Sequence, residues 1–222
     1  MELSLGLQML KDVAVRPPRS GNRVRTIIDT LLTSAGRLET DAFQMSFSGD
    51  PDELGQWRGY AANGMGCSVV TDSVSLHQIA DVAGWVIYEV PKQQAFAYKI
   101  LAKLRNMQDD ALIEEVLIAA ACYMKHDGFK PEKEFRILKF PSPAEVGFRE
   151  TGDRLVPFVD FLQGQQPLPI SRIVIGPGWQ LANLQTSELS RNHVVQGIHR
   201  LLSARGMNST TIDRSRIPYD PK

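Results

Sequence analysis

Glu132-Lys133-Glu134-Phe135-Arg136-Ile137-Leu138-Lys139-Phe140, residues 132–140, is the stretch whose reading decides the fold. It reads as a strand, and Pro141 and Pro143 stop it because proline cannot donate to a ladder. Alternate side chains of a strand share a face at spacings of about 6–7 Å, so Glu132, Glu134 and Arg136 fall on one side and Lys133, Phe135 and Ile137 on the other. Two carboxylates that close raise each other's pKa unless a cation intervenes, and either Arg136 or a substrate cation would supply it. The trio reads either as a surface salt ladder, worth little in stability, or as a functional cluster.

Outward from this strand, a long helical region runs from about Gln94 to Lys125, broken near Gln108-Asp109-Asp110 and ended by Gly128. Gly84 to Val90 reads as a strand closed by Pro91, and Cys67 to Val70 as another. Leu155 to Phe161, Ser171 to Ile175 and Thr210 to Ile212 complete the set of expected strands. Helices are expected over 2–14, about 23–34 and about 186–204. The loose alternation of strands with helices of very different length predicts an α+β fold: a mixed or mainly antiparallel sheet with flanking helices. At 222 residues, 43% of them hydrophobic, one compact domain is expected.

Ala42 to Ser48 alternates large apolar with smaller or polar residues and predicts a strand, placing Ser46 and Ser48 on one face opposite Phe47. A helix is expected next, with Asp50 as N-cap, Pro51 in the first turn and a stop at Asn63-Gly64. Short hydroxyls beside a helix start either bind a phosphate or ribose or cap the helix. Within that helix Leu54, Trp57 and Ala61 form a core stripe, so Trp57 reads as packing. Arg58 lies round from it, at solvent or at a pocket rim where the Tyr60 hydroxyl also falls.

Arginine and lysine balance aspartate and glutamate at 25 each, so net charge favours neither nucleic acid nor an anionic membrane. Arg16, Arg19, Arg23 and Arg25 form a local basic run that reads plainly as a solvated face and, more sharply, as a nucleic-acid or phosphate contact; charge runs normally face water. Val116 to Met124, the longest apolar stretch, is too short for a membrane helix, and the start has no secretory pattern, so the cytoplasm is the expected compartment. Cys67 and Cys122 sit in apolar runs and read as buried free thiols. His77, His126, His193 and His199 have no metal spacing, and no metal site is expected. Gly64-Met65-Gly66 and Gly176-Pro177-Gly178 are a lone Gly-x-Gly and a turn rather than nucleotide fingerprints.

Phe47-Ser48, Asp52, Leu54, Trp57-Arg58 and Tyr60-Ala61 before Gly64-Met65-Gly66, then Lys125, Phe129 and Glu132-Lys133-Glu134-Phe135-Arg136, together resemble a bacterial domain-of-unknown-function family, the one numbered two-nine-seven-one. Ser215-Arg216-Ile217-Pro218-Tyr219 looks like its closing motif. Members of that family carry an upstream segment with a Tyr-Arg-like pair, so the resemblance implies a chain that is N-terminally incomplete. The order Phe-Ser, then Glu-x-Glu on a later strand, is also similar to that of arginine-serine-glutamate ADP-ribosyltransferases. That similarity implies NAD as a substrate rather than a resident cofactor, and a role in bacterial defence. It makes Glu134 the catalytic carboxylate, Glu132 its assistant toward the acceptor, and Ser48 the hydroxyl that helps hold NAD. Ser46, Trp57, Arg58, Tyr60 and Arg136 would then line the substrate site. The alternative is a non-catalytic module that binds a nucleotide or a partner with the same cluster.

Overall fold

The computed structural model describes residues 2–15, 22–34, 42–162, 164, 167–181 and 187–218. In chain order they form α1 (Glu2–Ala14), α2 (Asn22–Ser34), β1 (Phe43–Ser48), α3 (Leu54–Tyr60), β2 (Cys67–Val70), α4 (Ser73–Gln78), β3 (Val82–Trp85), α5 (Val90–Leu104) and α6 (Asp110–Cys122). A 3-10 helix (Asp127–Glu132) leads into β4 (Glu134–Lys139); β5 (Gly147–Thr151), β6 (Arg154–Phe158), β7 (Arg172–Ile175), α7 (Gly178–Leu181), α8 (Ser187–Ala204) and β8 (Thr211–Arg214) follow. The fold is α+β, as the sequence predicts. These residues group into two compact units, Met1–Phe47 with Ala80–Gln163 and Ser48–Ile79 with Gly164–Lys222.

In the first unit α1, α2, α5 and α6 bury one another's apolar stripes. Leu7, Leu10 and Val13 of α1 meet Val24, Ile28 and Leu31 of α2, Leu101 and Leu104 of α5, and Ile113 and Leu117 of α6. Fully burying a leucine or isoleucine side chain is worth about 1.5–3 kcal/mol, so this helical layer carries much of the unit's stability. Asp109 starts α6 by accepting from the Leu112 N–H, and the Arg23 guanidinium at the head of α2 reaches Asp110 at 2.5 Å and the Gln108 amide oxygen at 2.9 Å. The break expected near residues 108–110 is therefore a capped helix start.

The sheet of this unit has the order β1-β4-β3. β3 and β4 are antiparallel, with Gly84 opposite Arg136 and Trp85 opposite Phe135. Central β4 is buried from Glu134 to Leu138, so its charged residues lie in the interior and not on the surface ladder of one reading. Glu132 is not on the strand at all. It ends the 3-10 helix, and Lys133 follows at φ 46 in the left-handed region, so the expected shared strand face begins at Glu134. The strand expected over 84–90 lies instead at Val82–Trp85, and Pro91 occupies the first turn of α5, where its missing N–H is harmless. β5 and β6 pair as an antiparallel hairpin, of which only β6 was expected.

In the second unit β7 is central, antiparallel to β2 and parallel to β8. α3 begins at Glu53, whose carboxylate accepts from the Gln56 N–H, rather than at Asp50. Asp50 instead closes a turn by accepting from the Asp52 N–H. After α3, Ala62, Asn63 and Gly64 all take positive φ, and the chain docks backbone to backbone on the second glycine turn. The Gly176 N–H donates to the Gly66 carbonyl and the Gly178 N–H to the Gly64 carbonyl, at 3.0 and 2.9 Å. A Cβ on Gly176 would fall 2.2 Å from the Gly64 oxygen, so the two glycine turns serve close packing. Cys67 is exposed on β2 and Cys122 is half-buried; neither forms a disulfide, and the expected burial of Cys67 is corrected by its place on an edge strand.

Gly6 in α1 and Gly197 in α8 provide a paired test, since alanine improves helix propensity at both. A Cβ at Gly6 would sit 2.3 Å from the Ala121 carbonyl oxygen of α6, whereas one at Gly197 meets nothing within 4 Å. Gly6→Ala is expected to lose about 1–3 kcal/mol of stability through overpacking of the α1–α6 crossing. Gly197→Ala is expected to gain about 0.5–1 kcal/mol. Denaturant unfolding of both variants measures it, and equal effects would refute the close crossing.

Candidate functional site

Four charged side chains of the first unit converge where α6, the 3-10 helix and β4 meet. Lys125 follows α6 directly, and its ammonium lies 2.6 Å from Glu132 Oε2 and 3.2 Å from Glu134 Oε1. The other oxygen of Glu134 accepts from Arg136 Nε at 2.7 Å, with Arg136 Nη2 at 2.5 Å. Arg136 Nη1 donates to the Cys122 carbonyl at the end of α6. Lys125 is 5% exposed, Glu134 9% and Arg136 1%, so two cations balance two carboxylates in a largely dry setting. Stripping hydration from such groups costs several kcal/mol per ion, which only mutual pairing and further hydrogen bonds offset.

Those further bonds are present. The Glu134 N–H donates to the Tyr88 hydroxyl at 2.9 Å, and the Tyr123 hydroxyl donates to the Arg136 carbonyl at 3.0 Å. The Gln93 side-chain amide donates to the carbonyls of Ile87 and Lys125 at 2.7 and 2.8 Å. Burial pushes the Tyr88 phenol up, and the Glu134 N–H and the Lys125 ammonium oppose that rise only in part. Burial likewise holds Tyr123 well above the phenol range, so both hydroxyls stay neutral donors or acceptors. The Phe129 ring lies 4.5 Å from the Lys125 ammonium, a cation–π contact from the 3-10 helix.

The structure thus brings Glu132, Glu134 and Arg136 together, as expected, but through Lys125 and across two elements. Tyr88 has no signal in the sequence, and Lys125 stands in the family motif but was not among the expected site residues. Ser46 is exposed on β1, and its hydroxyl accepts from the Gln44 amide at 3.1 Å.

Ser48, Trp57, Arg58 and Tyr60 belong to the second unit. The Ser48 hydroxyl accepts from the Asp50 N–H at 3.2 Å, closing a local turn, while the cap of α3 is Glu53 and not this serine. Trp57 is 3% exposed, so its core reading holds, while Arg58 is exposed and Tyr60 is 82% exposed. Trp57 also donates its indole N–H to Asp52 Oδ1 at 2.8 Å. The Ser215 hydroxyl donates to the same oxygen at 2.5 Å and the Arg216 N–H to the other at 2.7 Å. Asp52 is therefore the latch that ties the segment after β8 to the approach to α3. Burial works to raise the Asp52 carboxyl, but the bonds from Ser215, Arg216 and Trp57 outweigh it and hold the group below its ordinary range.

Among the described residues no group of three or more His, Cys, Asp or Glu is arranged to hold a metal ion. No described helix is long and apolar enough to cross a membrane. Residues 56–137 match the model of a family described as Protein of unknown function (DUF2971). That span takes in Trp57, Arg58, Tyr60, Lys125, Glu132, Glu134 and Arg136, and it supports the resemblance read from those residues. No curated protein and no solved structure matches the chain.

Two measurements follow from this geometry. Glu134→Gln leaves Lys125 and Arg136 facing a neutral amide and is expected to cost about 3–5 kcal/mol, the usual penalty for removing one partner of a buried pair. Denaturant midpoints check it, and a loss below about 1 kcal/mol, as for an exposed pair, would show the cluster to be solvated. For Asp52 the carboxyl is lowered from its ordinary 3.8 on folding, so its contribution is complete above that value and disappears as pH falls through the folded-state value. Asp52→Asn is therefore expected to be less stable at neutral pH and to show a flatter acid limb in a stability–pH profile. An unchanged acid limb would refute the latch.

Proposed function

We propose that the chain belongs to the DUF2971 family over its whole length and serves as a non-catalytic nucleotide-binding module of the bacterial cytoplasm, with NAD the first candidate ligand. The observation that supports this reading above others is the commitment of Glu134. One oxygen accepts from Lys125 and the other from Arg136, and the residue is 9% exposed. A carboxylate that speeds departure of nicotinamide must turn an uncompensated charge toward the developing oxocarbenium ion, because only interactions stronger in the transition state accelerate the step. Glu134 is compensated within the chain before any substrate arrives.

What the cluster offers instead is recognition. Lys125 and Arg136 are donors of the kind that hold phosphate oxygens, and Phe129, 46% exposed, presents a ring of the kind on which a base stacks. The order of Phe47-Ser48 and Glu132-x-Glu134 then belongs to a degenerate relative of the arginine-serine-glutamate ADP-ribosyltransferases, in which binding persists and transfer is lost. A defence protein that senses a nucleotide fits such a module.

Titration of the purified chain with NAD, ADP and AMP, with NAD consumption followed in the same samples, tests this. The expected result is a melting temperature that rises with nucleotide, by the equivalent of about 2.7 kcal/mol at a hundredfold excess over Kd, and no loss of NAD. Steady consumption of NAD would establish the enzyme reading in its place. A melting temperature indifferent to all three nucleotides would remove the nucleotide.

A further inference from the structure

Asn63-Gly64 is the one asparagine in the chain that a glycine follows. That pair carries chemistry of its own, because a backbone nitrogen with no Cβ beside it has room to swing onto the amide carbon of the preceding side chain. In the folded chain the two halves of the pair are treated differently. Asn63 is exposed at φ 55, while Gly64 is buried. Gly64 is also pinned at both ends: its N–H donates to the Trp57 carbonyl at 3.1 Å and its carbonyl accepts from the Gly178 N–H at 2.9 Å. Beside it the Trp179 indole N–H donates to the Met65 carbonyl. The electrophile therefore faces water while the nucleophile is held under the seam between the two glycine turns.

We propose that Asn63 is a latent self-modification site whose reaction is gated by that seam. When the seam opens, the Gly64 nitrogen loses its proton to hydroxide and bonds to the Asn63 side-chain carbonyl carbon; the bond from that carbon to the side-chain nitrogen breaks, and ammonia leaves. Water then opens the cyclic imide. Attack at the side-chain carbonyl gives aspartate on the ordinary backbone, and attack at the main-chain carbonyl gives isoaspartate, with the backbone routed through the side chain. Either product adds a negative charge, and isoaspartate also lengthens a turn that has no slack. A Cβ on Gly176 would already fall 2.2 Å from the Gly64 oxygen, and one on Gly178 would fall 2.9 Å from the Asn63 main-chain oxygen. An isoaspartate turn does not re-dock, so an opening of the seam that reacts is made permanent. The reaction needs no ligand and stands apart from the nucleotide reading. Its rate follows the population of the open form, because local opening is fast compared with amide chemistry.

The test follows wild type, Gly176→Ala and a synthetic peptide of residues 59–66 through the same incubation at mildly alkaline pH. Mass spectrometry reads the amide-to-acid change at Asn63, and enzymatic methylation reads isoaspartate. The peptide, which has no seam, is expected to react fastest, and folded wild type at least about a hundredfold more slowly. Gly176→Ala, whose added Cβ meets the Gly64 oxygen, is expected to react about tenfold faster than wild type. Wild type that keeps pace with the peptide, Gly176→Ala that keeps pace with wild type, or a peptide that keeps its amide overturns the inference. If Gly176→Ala does not fold, urea below the unfolding midpoint opens the wild type instead. The rate at Asn63 is then expected to climb with urea while the rate in the peptide holds, and a flat wild-type rate overturns the gate.

Discussion

Glu134, held between Lys125 and Arg136, is the constraint on which the first unit turns. An unpaired carboxylate at 9% exposure would be untenable, and so would either cation without it. Pairing fixes three backbones at once: the end of α6 through Lys125 and the Cys122 carbonyl, β4 through Glu134 and Arg136, and the turn before α5 through the Tyr88 hydroxyl. Helical layer and sheet are therefore joined by charge at one end, while Leu138, Tyr123 and Ala119 join them by apolar packing alongside. The network is specific where packing alone is permissive. A shift of β4 by one residue would send Glu134 and Arg136 to the opposite face and strand both charges.

Among the described residues of the second unit, the buried polar side chains are the uncharged Thr210 and Ser215. Gly64, Gly66, Gly176 and Gly178 let two turns pair through their main chains, and the Trp179 indole N–H donates to the Met65 carbonyl on the same seam. Asp52 gathers Trp57, Ser215 and Arg216. A single carboxylate accepting three donors can stay ionised where it is partly buried, and this is why its carboxyl is lowered despite the desolvation that opposes it.

Much of this was legible in the sequence, and what was not has physical reasons. The helix of residues 2–14 and the strand of residues 67–70 show through because apolar periodicity and glycine stops agree there. Val82–Trp85 was misplaced because Pro91 is equally apt as the end of a strand and as the first turn of a helix; only the partner strand decides. β5 carries one large apolar side chain, Phe148, among glycine, charged and hydroxyl residues, so it has no alternation to read and exists by pairing with β6. The burial of Glu134 and Arg136 was illegible for a sharper reason. Alternating charge is the pattern of a solvated face, and the groups that enclose this one, Lys125 and the end of α6, lie outside the strand and meet it only when the chain folds back.

Glu132 and Glu134 look equivalent in sequence and are opposites in space. The left-handed Lys133 turns the chain between them, so Glu134 enters the sheet with both oxygens engaged while Glu132 stays on the 3-10 helix with a quarter of its side chain accessible, 24% against 11%. Two carboxylates whose environments diverge this far divide the work that a Glu-x-Glu pair would share on a flat strand. The buried one ties the chain just past α6 to β4 through Lys125 and Arg136. The other meets the Lys125 ammonium from a 3-10 helix that has no buried residue. Lys133 at φ 46 carries the distinction, because an extended residue there would set both glutamates on one strand face, side by side against the same buried cations.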